Sequence, residues 1–312
     1  PGMKPEADMI VEWQSVTQTL GDGTEIVMRK PVYHIENPNY GPLPDNLLTS
    51  PRVASPMIGL GLVEAIPESA LLANEDPNDA DSDGISGRAN RVWDRTSKQT
   101  VVGRFGWKAG QPSILQQSMD AFAGDMGLTS TVAPSTDCTS EQECERFPDG
   151  GQPEVTDKVA SFIEFYASSL AVPTRRDMDD PIVKQGAKLF NDLTCAACHT
   201  PSHTTGQVTR PELSNQIIWP YSDFLLHDMG PGLADERPEF LADGNEWRTP
   251  PLWGLGLTKV VNPQAGFLHD GRAETIEHAI LWHDGEARAA ADGYRQLPKN
   301  ERDALIRFLN SL

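Results

Sequence analysis

The chain has 312 residues, 38% of them hydrophobic, and a formal net charge of −19. That suits a folded protein long enough for two domains, and it excludes the phosphate backbone of nucleic acid as a partner. No apolar run of about eighteen residues is present, which excludes a transmembrane segment.

The 26 glycines and 25 prolines predict long ordered loops between elements. The opening residues, PGMKPEADMI, lack a basic segment followed by an apolar one. No signal peptide is therefore visible, and the chain reads as a mature or cut form. Residues 1–60 read as irregular and β-rich, with TEIVMRKPVYHI alternating as strands do and Pro31 confining one of them to an edge. A short helical run follows in PRVASPMIGLGLVEAIPESALLANE, where Gly59 and Gly61 predict close backbone packing. Residues 74–94 form a charged loop. QPSILQQSMDAFAGDMG predicts a helix between Pro112 and Gly127. A polar loop holds Cys138 and Cys144, placed to close a small disulfide and so to indicate an oxidising compartment. EVTDKVASFIEFYASSLA predicts an amphipathic helix with Val159, Phe162, Ile163 and Tyr166 near its packed face.

A new unit is expected to begin near Asp179, dividing the chain into an irregular mixed region, 1–178, and a haem domain, 179–312. DDPIVKQGAKLFNDLTCAACH predicts a helix with Pro181 in its first turn, running into the motif Cys195-x-x-Cys198-His199. Haem attachment needs two thiols about one helical turn apart, to add to two vinyl groups, and an imidazole beside the second thiol to ligate the iron. C-x-x-C-H supplies all three. A redox dithiol has no need of the histidine, and a zinc site needs two further ligands, usually a second close pair. Gly186 and Phe190 precede the motif as in small c-type cytochromes, and ERDALIRFLNSL supplies the terminal helix they would pack against. RAETIEHAILWHDG predicts another helix. The expected fold is mainly α with irregular loops and a small β portion: a cytochrome c-like haem domain joined to the mixed N-terminal region.

DADSDGISGRAN offers a second metal loop. Asp79, Asp81 and Asp83 occupy positions one, three and five, Gly84 position six, Ile85 position seven through its carbonyl, and Asn90 position twelve. That order matches the first half of an EF-hand-type calcium loop, without its closing glutamate. Three carboxylates this close repel one another unless a cation joins them.

The stretches SPRVASPMIGLGLVEAIPE, GRFGWKAGQPSILQQ, CAACHTP, PYSDFLLHDMGPGLAD, EWRTPPLWGLGL and FLHDGRAETIEHAILWHDGEA, with the acidic loop, resemble the bacterial di-haem oxidoreductase family over nearly the whole chain. Its members are described as thiol oxidoreductases or peroxidases. They are distantly similar to di-haem cytochrome c peroxidases and to the enzyme that matures the tryptophan cofactor of methylamine dehydrogenase. The resemblance implies a second C-x-x-C-H in a domain ahead of this chain's first residue; only one such motif occurs here. Either that domain is cut away here or this is a single-haem member; in the first case the relatives imply that its haem is the one that meets peroxide.

His199 is the expected proximal ligand. The sixth position stays open among His283, Met229, His269, His227 and His203. In the peroxidase relatives the axial Met lies fourteen residues after the histidine of a PYFHSG-like stretch, and counting from His269 in FLHDG the same interval reaches His283. Two imidazoles would lower the potential relative to His/Met ligation. Met229 lies in HDMGPG, about where a short cytochrome places its sulfur. Arg248 and Arg272 are candidates to pair with haem propionates. Trp247, Trp253 and Trp282 lie near the haem segments, and Trp107 is a candidate relay between two haem domains. His278 and His34 read as surface or structural residues. The functional expectation is a periplasmic c-type cytochrome domain that passes single electrons between a redox partner protein and a second haem. The alternatives are a peroxidase or thiol oxidoreductase with an open sixth site, and a non-enzymatic module linked to iron handling.

Overall fold

The computed structural model describes residues 4–312, the side chain of Glu145 excepted; residues 1–3 of the expected first unit lie outside the described residues. Among the described residues the architecture is mixed: short helices surround four two-stranded antiparallel sheets. The expected helices and small β portion are both present, in a mixed α/β arrangement. Short strands are spread along the sequence and pair locally, so no single segment announces a sheet.

Strands β1 (Asp8–Thr19) and β2 (Glu25–Glu36) form a hairpin in register from Asp8↔Glu36 to Thr19↔Glu25. β2 runs through Pro31, because both strands of a two-stranded sheet are edges, where proline is tolerated. The next elements are α1 (Leu60–Glu64), α2 (Glu68–Leu72), β3 (Arg91–Asp94) paired with β4 (Gln99–Val102), α3 (Ile114–Met126) and α4 (Asp157–Ser169). The side chain of Ser113 accepts from Gln116 N and so caps α3, while Gly127 ends it at φ 67°. Gly59 at φ 72° and Gly61 permit close approach, since a Cβ on either would collide with Trp253 or with the Ser168 carbonyl.

Helix α4 inverts one expectation. Its packed face is Ala160, Ala167 and Ser168, whereas Phe162, Phe165 and Tyr166 are 61%, 62% and 65% exposed. Small residues let α4 lie close to α1 and α3, and the aromatic stripe is left outward.

The second half contains α5 (Pro181–Asp192), β5 (His203–Thr204) with β6 (Ile217–Ile218), β7 (Leu226–Asp228) with β8 (Glu246–Arg248), α6 (Thr258–Val261), α7 (Ile276–Trp282), α8 (Arg288–Gln296) and α9 (Lys299–Ser311). Asp180 caps α5 by accepting from Ile182 N at 2.8 Å, with Pro181 in the first turn. Helix α8 was not expected; its buried stripe is only Ala291 and Tyr294 within a strongly polar run.

One core joins Val183 and Phe190 of α5, Leu281, Tyr294, Leu305 and Phe308 of the later helices, and Leu20 and Met28 of the hairpin. A second joins Val63, Ile66, Phe105 and Ala167 to Ile218, Phe224 and Trp253. Both draw on residues from either side of position 178.

Helices α5 and α9 touch backbone to backbone at Gly186. A Cβ there would strike the Ala304 carbonyl and the Phe308 side chain, and Phe190 packs on Phe308 with ring centres 5.3 Å apart. Gly186→Val is therefore expected to destabilise the chain by about 3 kcal/mol, the upper end of overpacking costs. A denaturant-melt midpoint equal to wild type would contradict this close approach.

Among the described residues no helix is long and apolar enough to cross a membrane. Cys138 and Cys144 are joined as a disulfide, with Cα atoms 6.4 Å apart.

Candidate haem site

The motif follows α5 through Thr194, held at φ 60°, and continues as one tight turn over Cys195–Ala197. His199 N donates to Cys195 O at 3.0 Å, and Asp223 N to Cys198 O at 2.9 Å, so the motif is sewn to the 221–223 segment. His199 sits beside Phe190, ring centres 6.1 Å apart. Its Nδ1 lies 2.9 Å from the Tyr221 carbonyl, which can only accept, so Nδ1 carries the proton and Nε2 keeps its lone pair.

His283 caps the C-terminus of α7. Its Nδ1 lies 2.7 Å from the Ala279 carbonyl and is protonated for the same reason. The two imidazoles face each other with ring centres 6.5 Å apart and planes inclined at 44°. Burial lowers both histidines, and the neighbouring His283 lowers His199 further, to about 4. Both rings are thus neutral at ordinary pH, the state a metal needs.

Burial raises Cys195 to about 12 and raises Cys198 as well. A dithiol redox centre needs a depressed pKa and a ready thiolate; these thiols are shifted the opposite way.

The donor set fits haem. Two thiols and two buried imidazoles, each imidazole with Nδ1 on a backbone carbonyl, are the groups that would hold it. Trp282, one residue before His283, has a buried indole N–H with no acceptor, as a site built around an additional carboxylate-bearing group would leave it.

The other candidates are occupied otherwise. His227 is buried, with Nδ1 2.7 Å from Glu286 Oε2 and Nε2 2.8 Å from Asp223 Oδ2. Burial alone would lower it, but bonds to Asp223, Cys198 and Glu286 outweigh burial and raise it well above 6.5. It is an imidazolium clamp beside the Cys198 sulfur, 3.5 Å away, with no lone pair to offer. His203 Nε2 bonds the Ser222 carbonyl at 2.7 Å. His269 stacks on Trp247 at 3.7 Å, with Trp107 at its edge. His278 is in the first turn of α7, and His34 pairs with Glu12 at 3.6 Å. Met229 lies in the turn at Gly230, which packs on Asp284 and Gly285 just after His283.

Arg272 is held by Asp270 at 2.7 Å and lies 4.8 Å over Trp282, near the site. Arg248 is turned toward Gly106 and Thr249, bonding their carbonyls at 2.8 and 3.2 Å. Trp253 packs in the second core.

The acidic loop brings together Asp76, Asp79 and Asp81, with one carboxylate oxygen of each within 4.8 Å of the others. Asp76 was not foreseen. Asp83 instead accepts from Ile85 N at 2.8 Å. Asn90 is corrected as a ligand: its amide is buried, donating to Lys108 O and Glu239 O and accepting from Leu241 N.

Asp223 and Glu286 belong to the site although no motif in the sequence marks them. Glu286 binds His227, Ser86 N at 3.1 Å and Ser86 Oγ at 2.8 Å, so it joins the acidic-loop segment to the motif. Burial would raise Glu286, but the His227 bond outweighs it and the carboxyl is lowered below 4.5.

The clamp implies a definite pH response. A raised histidine stabilises fully below its unfolded value of 6.5 and loses that stabilisation as pH rises through its folded value. A lowered carboxylate stabilises above 4.5 and loses it as pH falls. The melting-temperature difference between wild type and His227→Gln is expected to peak between about pH 4.5 and 6.5 and to shrink on either side. A difference that grows steadily into alkali would contradict a charged His227.

No curated protein matches the chain. A solved chain of hydrazine synthase from Kuenenia stuttgartiensis, pressurised with xenon, is similar at 20% identity with a TM-score of 0.34. The match covers 58% of this chain and 63% of that one. The family described as "Di-haem oxidoreductase, putative peroxidase" matches residues 2–312. The chain belongs to that di-haem oxidoreductase family.

Proposed function

We propose that this chain carries one covalently attached haem c, bound through Cys195 and Cys198 with His199 and His283 as axial ligands, and serves one-electron transfer. The observation that carries the reading is the pair of facing imidazoles, each with Nδ1 tied to a backbone carbonyl and Nε2 left free. Family membership supports a haem-based redox role. The haem would supply the one-electron couple. Phe190 and the Tyr221 carbonyl orient His199, the Ala279 carbonyl orients His283, and the His227–Asp223–Glu286 clamp braces the Cys198 side. Arg272, whose guanidinium lies 4.8 Å over the Trp282 ring, would support a propionate there.

The partner is a second haem domain or a redox protein, and the compartment is the periplasm, consistent with the Cys138–Cys144 disulfide. Peroxide reduction or thiol oxidation would belong to the assembly that includes the second haem.

Expression with and without the cytochrome c maturation machinery tests the reading. The matured product should be coloured after denaturation, low-spin in both oxidation states, and slow to bind CO. Fast CO binding by the wild type would favour the open-site peroxidase reading instead.

Asp76, Asp79 and Asp81 are proposed to bind calcium in a structural role. Calcium at about 100 times its dissociation constant should add roughly 2.7 kcal/mol of stability. That gain should vanish in Asp79→Asn. A melting temperature that ignores both calcium and chelator would refute the assignment.

A further inference from the structure

A cleft separate from the imidazole pair lies between residues 55–60, Arg104–Trp107 and Pro250–Pro251. It shares no residue with the ring and hydrogen-bond partners described for His199 and His283. Its walls are mostly apolar: Ile58, Leu60, Val63, Phe105 and Phe224 come from the second core, and Trp107 adds an indole. Its interior volume is about 40 Å³, on the order of a few waters or one carboxylate group.

Two arginines line this space. Arg248 is only 6% exposed. Its Nε and Nη1 donate to the carbonyls of Gly106 and Thr249, and its guanidinium lies 5.7 Å from the Phe224 ring centre. Arg104 Nη1 donates to the carbonyls of Val63 and Ile66 at 3.1 and 2.7 Å. All these acceptors are neutral. Arg104 is partly buried, while the other bases buried as deeply as Arg248 have a carboxylate: Lys108 pairs with Asp235, Arg272 with Asp270 and Arg302 with Asp22. Among the described residues neither Arg104 nor Arg248 has an ion-pair partner, in a chain with 45 acidic and 26 basic residues. A buried guanidinium without an anion is costly unless something supplies one. Gln117, on the same wall, has a buried Oε1 with no partner. Turning that amide over would present its NH2 to an acceptor.

We propose that this cleft is a carboxylate-binding site, in which Arg248 and Arg104 neutralise the anion while the apolar body that carries it rests outside the small interior, against the half-buried Trp107 and the exposed Met57. The apolar walls select an organic acid over a fully hydrated inorganic anion. The carboxylate comes either from a free small acid or from a propionate of a porphyrin held by another domain. The inference goes beyond the haem reading of this chain and does not depend on it.

The purified chain is titrated by calorimetry with benzoate and with benzamide. In parallel, zinc protoporphyrin IX and its dimethyl ester are titrated by porphyrin fluorescence. Each acid that binds should do so in preference to its neutral counterpart and more weakly as salt is added. It should bind about tenfold or more weakly in Arg248→Gln and in Arg104→Gln. Benzoate binding identifies a free acid as the ligand; binding of the porphyrin acid alone identifies a propionate. Arg104→Gln keeps the test decisive if Arg248→Gln fails to fold. The proposal is overturned if neither acid binds, if the neutral compounds bind equally well, if inorganic phosphate alone binds, or if arginine removal leaves acid binding unchanged.

Discussion

His283→Ala is expected to turn a low-spin centre into a high-spin one while leaving the porphyrin attached. The substitution removes an imidazole whose ring centre lies 6.5 Å from that of His199, and the alanine offers no donor in its place. Ferric absorption and electron paramagnetic resonance would register the change of spin, and CO binding to the ferrous form should become fast. His283→Met is the informative companion. A thioether in the same place should restore six-coordination but raise the reduction potential, because His/Met ligation favours the ferrous state more than two imidazoles do. The Ala279 carbonyl, which now fixes the imidazole, would lose its partner in either variant. Spectra of His283→Ala indistinguishable from wild type would mean that another residue holds the sixth position. Met229, in the turn packed just after His283, would be the next residue to test.

The second large effect concerns the thiols. Cys195→Ala combined with Cys198→Ala should abolish covalent attachment altogether, so that denaturation and acid extraction strip all colour from the polypeptide. Each single variant should keep one thioether and release little haem. Because burial raises both thiols, loss of a thiolate-dependent activity is not the expected consequence. If the double variant instead lost only a dithiol oxidation activity and kept its colour, the pair would be a redox centre and the haem reading would fall. The fold should survive without thioethers, since α5 and α9 meet through Gly186, Phe190 and Phe308 rather than through the cysteines.

The helix and turn that carry the cysteine motif are readable because their features are local. Gly186, Phe190 and the cysteines fall at fixed intervals along one helix and the turn after it, and their packing on α9 follows from helical spacing. His283 was reachable only by counting from His269 in relatives, because nothing around it in sequence says that its ring will face His199. The clamp was not readable at all. Asp223, His227 and Glu286 are brought together from β7, the segment before it and the turn after α7; His227 alone reads as a candidate ligand, and the two carboxylates read as ordinary polar residues. Helix α4 misled for a physical reason: its aromatic stripe carries the stronger periodic signal, yet the alanine face is narrow enough to approach α1 and α3. Asn90 misled because a loop template counts positions and takes no account of burial, and the chain has turned inward by residue 90.

Electron paramagnetic resonance of the oxidised, matured wild-type chain tests the central claim most directly. Two imidazoles on one ferric ion should give a purely low-spin signal that His283→Ala eliminates. A high-spin signal in the wild type, or a low-spin signal that survives loss of His283, would contradict it.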